Sequence, residues 1–175
     1  VENFVEQVLY YSKSDNVEKD YIIKELNLKD VVTNTVKRNY RDFISKNIKL
    51  ELEDIDNIIY SDQKWVEFIL NQVISNAIKY SKTKDAKVHI SSKNIENAVI
   101  LTIKDNGVGI CEKDINRVFE KGFTGENGRI FGKSTGIGLY LCDKLCNKLG
   151  LVLAIESDLN ISTVVRIKFP KSLIH

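Results

Sequence analysis

Residues 98–110 read AVILTIKDNGVGI. Side chains alternate across a strand, so Val99, Leu101, Ile103 and Asp105 share one face, and the three aliphatic residues make it the core face. Asp105 then stands at the rim of that core. A buried carboxylate is costly unless it accepts hydrogen bonds, so this one calls for a hydroxyl, a water or a ligand amino group. Gly107 and Gly109 follow at once and let the backbone turn and approach a planar group closely. Taken alone, the stretch reads equally well as an Asx-type turn at Asp105 and Asn106.

The neighbours of this strand set the fold class. KVHISSKN (87–94) alternates and is separated from 98–105 by only a few residues, which predicts a hairpin. LVLAIESD (151–158) and STVVRIKFP (162–170) read as two closing strands. IKLELED (48–54) and NIIYSD (57–62) alternate like a further pair, and YIIKELN (21–27) reads as one more strand. Helical spacing appears in 28–47 and in 62–81, where Asp62 is the expected N-cap. It recurs in 136–150, ending at Gly150, and a short helix is expected within 112–119. Residues 2–19 carry Phe4, Val5, Val8 and Leu9 at helical spacing, like the end of a longer helix that needs a partner. Residues 121–135 are rich in glycine and polar residues, without periodicity. Interleaved helices with hairpin-linked strands predict an α/β sandwich: a mixed, mostly antiparallel sheet covered by helices on one face.

Composition narrows the function classes. The chain has 175 residues, about one domain's worth, and a net charge of +2. That charge predicts no nucleic-acid partner and no direct membrane contact. No apolar run approaches the ~18 residues of a membrane span. The chain opens on Val1 rather than Met and reads as a fragment of a longer protein. Cys142 and Cys146 fall on one helical face, and with His89 and His175 the only histidines they read as free thiols rather than zinc ligands.

Two further features carry chemistry. On the 62–81 helix, Gln72, Asn76, Lys79 and Tyr80 border the apolar arc of Val66, Ile69, Leu70, Val73, Ile74 and Ala77. An amide oxygen suits Mg²⁺, a lysine suits phosphate, and a phenol covers a base or sugar. The same residues also suit a solvated helix edge. Downstream, Gly125, Gly128, Gly132, Gly136 and Gly138 punctuate a long loop and the start of an apolar helix. Glycine costs roughly 1 kcal/mol in a helix interior, so two in a first turn suggest backbone N–H groups that meet an anion. The pattern is neither a P-loop nor a GxGxxG turn. A mobile surface loop is the plainer reading of 121–135.

The order of these features resembles the ATP-binding domain of sensor histidine kinases, a branch of the Bergerat-fold ATPases that also include Hsp90-type, type II topoisomerase and MutL-type proteins. NQVISNAIKYS resembles the N box, DNGVGI the G1 box, FEKGF the F box and GKSTGIGLYL the G2 box. The resemblance covers roughly residues 26–170. The GFTGENGR loop and the linker further resemble the antimicrobial-peptide-sensing kinases of Gram-positive bacteria.

The resemblance implies ATP and Mg²⁺ as ligands. It implies that Asn76 ligates Mg²⁺, that Lys79 touches phosphate and that Tyr80 packs by the nucleotide. Asp105 would accept from the adenine amino group, with Thr163 supporting it, while Gly107, Gly109 and Ile110 shape the slot. Phe119 and Phe123 would anchor a lid over 121–135, which contributes Thr124, Gly125, Gly132 and Thr135. Gly136, Gly138 and Leu139 would hold the phosphates. Ser162 stands where the family usually has Gly, and Gln72 where it usually has Asn or Glu. No general base is evident, and the phospho-acceptor histidine of such kinases is absent. Residues 1–20 then correspond to the end of a dimerisation helix and its linker, and 21–175 to the catalytic domain. The implied partners are the parent's own His-containing dimerisation domain, within a homodimer, and a response regulator. The implied setting is the cytoplasmic side of a kinase held in the bacterial membrane. Two alternatives share the boxes: a nucleotide-sensing or dimerisation module without phosphotransfer, and an anti-sigma-type serine kinase.

Overall fold

The computed structural model describes residues 21–131 and 134–171. The elements run β1 (Lys24–Asn27), α1 (Leu28–Arg38), α2 (Tyr40–Ser45), β2 (Lys49–Glu53), β3 (Ile58–Ser61), α3 (Gln63–Lys79), β4 (Lys87–Ile95) and β5 (Ala98–Asp105). Then come α4 (Glu112–Ile115), α5 (Gly125–Phe131), α6 (Gly138–Lys148), β6 (Val152–Asp158) and β7 (Ser162–Pro170). The five-stranded sheet has the order β2-β4-β5-β7-β6, antiparallel except for the β2–β4 pair. The predicted hairpin forms, with Ile95 opposite Ala98, and Lys171 Nζ donates to the Ile95 carbonyl across its turn.

One face of the sheet is the core. Val88, Ile90, Val99, Leu101, Ile103, Val165, Ile167 and Phe169 are all buried there. The helices pack against this face, with Ile69, Leu70 and Ile74 of α3 fully buried. Each such side chain contributes about 1.5–3 kcal/mol of apolar burial, so α3 is fixed in rotation by its own stripe. Cys142 and Cys146 of α6 are buried free thiols, and burial pushes the Cys146 thiol up to about 12. The other face is polar, with Glu156 paired to Arg166 at 2.8 Å and Glu53 to His89 at 2.8 Å.

Several local expectations are corrected. The strands at 48–54 and 57–62 do not pair with each other: β2 runs parallel to β4, while β3 pairs antiparallel with β1 in a separate two-stranded sheet. Asn57 fixes this divergence, donating through Nδ2 to the Asp54 carbonyl and to Ser92 Oγ, while its own carbonyl accepts from Leu28 N–H. The helix expected over 28–47 is broken at Asn39, whose buried Nδ2 donates to the Thr35 carbonyl and to Asn71 Oδ1 on α3. A side-chain amide competing with the backbone in this way ends a helix. The first strand is confined to Lys24–Asn27, the helix in 112–119 to Glu112–Ile115, and α6 begins at Gly138 rather than Gly136. The loop 121–135 contains a helix, α5. The helical pattern at 2–19 and Gly132 lie outside the described residues.

Candidate functional site

α3 is held at both ends. Asp62 accepts from Trp65 N–H at its N-cap, a contact worth ~1 kcal/mol. At the other end Lys46 Nζ donates to the carbonyl of Ile78 at 2.8 Å, placing a cation where the helix dipole is negative. This fixes the last turn, which carries Asn76, Lys79 and Tyr80. With Gln72 they line one wall of a cleft of about 670 Å³. Gln72 is buried, so it belongs to the cleft lining rather than to a solvated edge.

Asp105 ends β5 in the lining of the same cleft, only 8% exposed. Its Oδ1 accepts from Gly107 N–H at 2.8 Å, so the Asx turn allowed by the sequence does form. The backbone N–H of Thr163 also donates to the carboxylate. Even so, removal from water dominates, and burial pushes the Asp105 carboxyl up to about 6. A carboxylate has about four lone-pair positions, so two donors leave capacity for a group entering the cleft. The Asx turn and a ligand-facing acid therefore coexist.

The glycines after Asp105 are required by close approach. The chain crosses the end of α3, where Val108 N–H donates to the Tyr80 carbonyl at 3.0 Å. A Cβ at Gly107 would stand 2.4 Å from that carbonyl oxygen, and one at Gly109, where φ is +67°, would stand 2.2 Å from the Asp158 carbonyl oxygen. Ile110 N–H donates to Ser157 Oγ, which donates to the Ser162 carbonyl and meets Thr163 Oγ1 at 2.9 Å. Thr163 thus supports Asp105 through its backbone, while its hydroxyl meets Ser157.

The segment from Phe123 to Gly136 contributes the third side. Gly122 N–H donates to the Gly136 carbonyl at 2.9 Å, clasping the two ends of the loop. Glu126 N–H donates to Asp114 Oδ2, which holds the Asp114 carboxyl below its ordinary value, and Lys113 pairs with Glu126 beside it. Arg117 lies over the Phe123 ring, 4.3 Å from its centroid. Ser134 Oγ accepts from Lys79 Nζ at 2.5 Å and lies 3.0 Å from Tyr80 Oη.

Of the residues singled out in the sequence, Asn76, Lys79, Tyr80, Asp105, Gly109, Ile110, Phe123, Thr124, Gly125, Thr135, Gly136, Gly138, Leu139 and Thr163 all line this one cleft. Gly107 braces it from behind. Phe119 is half-buried and stands outside the lining; its neighbour Val118 is the buried residue that lines the cleft. The turn after α4 aims one of two adjacent apolar residues inward, and the sequence does not say which. Sequence reasoning also missed Ser75, Asp114, Ser134 and Ser157. Ser75, inside NQVISNAIKYS, and Ser134, inside GKSTGIGLYL, lay within box strings already singled out.

The donor set fits a nucleotide with its metal. Among the described residues no cluster of three or more His, Cys, Asp or Glu could cage a metal. The amide of Asn76 suits a hard cation that keeps waters and takes its remaining oxygens from phosphates. The first turn of α6 has no side-chain cap, and Gly138 and Leu139 at its start line the cleft, which brings the positive end of the helix dipole to it.

Comparison with known proteins agrees with this geometry. The family described as histidine kinase-, DNA gyrase B- and HSP90-like ATPase matches residues 61–173. The sensor histidine kinase YxdK of Bacillus subtilis is 38% identical over 171 residues, which cover 97% of this chain and 52% of that protein. The sensor protein kinase GraS of Staphylococcus aureus is 34% identical over 97% of this chain and 49% of its own length. The chain thus spans about half the length of these relatives. The solved catalytic domain of histidine kinase ThkA superposes with a TM-score of 0.74 at 23% identity, covering 86% of this chain and 98% of that one. ThkA in complex with the response regulator protein TrrA gives a TM-score of 0.76 at 22% identity, over 98% of this chain and 47% of that one. The mixed sheet and its covering helices are therefore the fold of these catalytic domains, and this chain belongs to the histidine kinase-, DNA gyrase B- and HSP90-like ATPase family.

Proposed function

We propose that this chain binds MgATP and is the ATP-binding half of a sensor histidine kinase, presenting the γ-phosphate to a histidine on a dimerisation domain outside it. The observation that carries the reading is Asp105: a buried carboxylate at the end of β5, held by two backbone N–H groups and still facing the cleft. When bound, MgATP supplies the transferable phosphoryl group and a metal charge against it. Asp105 accepts the adenine amino group, and Gly107 and Gly109 leave room for the ring. Asn76 lends its amide oxygen to the metal. Lys79 and the N-terminal turn of α6 meet phosphate oxygens. Phosphoryl transfer needs chiefly positioning and charge neutralisation, which these groups supply without a general base.

The relatives YxdK and GraS, both named as sensor kinases, support a sensor kinase as the parent; we take that parent to be membrane-held and of the antimicrobial-peptide-sensing branch. The kinase–regulator complex with the same fold supports a response regulator as the downstream partner. We assign residues 1–20 to the end of a dimerisation helix and its linker within a homodimeric parent. No helix among the described residues is long and apolar enough to cross a membrane.

The test is calorimetric titration of ATP with Mg²⁺, followed by phosphotransfer to a separately supplied His-containing dimerisation domain. Binding with transfer is expected. Binding without transfer would leave a nucleotide-sensing module, and a folded chain that binds no ATP would overturn the reading.

A further inference from the structure

Lysine is a compact charge on a four-carbon stem with many rotamers, so an unanchored Lys79 would meet a phosphate only after losing that freedom. It is not unanchored. Its Nζ donates to Ser134 Oγ at 2.5 Å, and the same oxygen lies 3.0 Å from Tyr80 Oη. An ammonium cannot accept, so Ser134 Oγ is the acceptor from Lys79 and keeps its own proton to donate. The three groups come from chain positions 55 residues apart and converge on the cleft wall. Ser134 is itself braced from behind. A Cβ at Gly128 of α5 would stand 2.7 Å from Thr124 Cβ and 3.3 Å from Ser134 Cβ, so the lid helix rests directly on the serine.

We propose that Ser134 is a positioning residue for Lys79: it holds the ammonium at the phosphate end of the cleft and ties that position to the lid helix. The proposal rests on the nucleotide reading above. The contacts of the serine are with Lys79 and Tyr80 and not with Asp105, so it contributes to recognition of the phosphates and not of the base. A hydrogen bond to a charged group is strong enough that its loss reads as about tenfold in affinity.

The experiment titrates ATP, ADP and adenosine into the parent chain, Ser134→Ala, Ser134→Thr and Gly128→Ala, following adenosine by chemical-shift change. The expected result is roughly a tenfold loss for ATP and ADP in Ser134→Ala, with adenosine unchanged and with Ser134→Thr restoring most of the loss. Gly128→Ala, whose Cβ would press on both Thr124 and Ser134 while leaving the serine hydroxyl in place, is expected to lower ATP affinity as well. In a Lys79→Met background Ser134→Ala is expected to change ATP affinity less than twofold. An ATP affinity unchanged in Ser134→Ala, an adenosine affinity that falls in parallel, or an undiminished loss in the Lys79→Met background would each overturn the proposal. A parent chain that binds neither ATP nor adenosine would instead overturn the nucleotide reading itself, which separates the two failures.

Discussion

Asp105 and Thr163 stand opposite one another in the β5–β7 register, and the Thr163 backbone N–H donates to the Asp105 carboxylate. The support comes from main chain, so it survives any change of side chain at 163. Removing the Asp105 charge should leave the frame intact and disable only recognition. Asp105→Asn presents an amide donor towards an amine donor, and a site built to accept rejects such a mismatch strongly. The expected outcome is a loss of ATP affinity on the order of a hundredfold or more by calorimetry, with an unchanged circular-dichroism spectrum.

The same carboxylate gives a pH dependence with a definite sign. Its folded value of about 6 lies above the ordinary 3.8, so the folded chain holds this proton more tightly than the unfolded chain does. Stability from this group is therefore greatest below about 4, falls as pH rises to about 6, and is flat above. The difference is about 3 kcal/mol at most. Binding has the opposite sign, since the ionised form is the stronger acceptor and carries no competing O–H: ATP affinity should fall below about pH 6 in the parent. A thermal melt of ligand-free Asp105→Asn at pH 7 is expected to match or exceed the parent's.

Asn76 should carry the metal dependence. In Asn76→Ala, ATP affinity measured with Mg²⁺ is expected to drop to about the level the parent shows with chelator. Adenosine binding should be unaltered. An Asn76→Ala variant that retains the full Mg²⁺ effect would place the metal elsewhere.

Gly109 has φ of +67° and faces the Asp158 carbonyl. A Cβ there combines left-handed strain with a backbone collision, costing roughly 2–5 kcal/mol. Gly109→Ala should lower the melting temperature clearly and abolish nucleotide binding. Both readouts should fail together, unlike Asp105→Asn, where they separate.

Glu67 offers a contrasting expectation. It is buried, 2.5 Å from Arg38 and 3.0 Å from Gln63, and stands outside the cleft lining. An acid occupied in this way fastens α1 to α3 and is not a base for chemistry. Glu67→Gln should leave ATP affinity and phosphotransfer within about twofold of the parent while costing stability of about 1 kcal/mol, read from denaturant unfolding.

Local patterns in the sequence were enough for the elements that carry the site. Period-two alternation placed Asp105 on the core face of β5, and the helical stripe with Asp62 before it placed Asn76, Lys79 and Tyr80 on one edge of α3. These features follow from the residue's own neighbours along the chain, so they are legible without a partner. What alternation cannot encode is which strand pairs with which. β2 and β3 look like a hairpin, yet Asn57 sends them to different sheets. The break at Asn39 is likewise invisible until Asn71 of α3 is brought beside it. The sequence by itself determined the fold class, the acid at the end of the strand and the order of the four boxes. Only the tertiary structure decided that Val118 rather than Phe119 faces the cleft, that Ser157 supports the Ile110 backbone, and that Ser134 meets Lys79. Those are contacts between segments distant in sequence, and distance along a chain carries no periodicity to read.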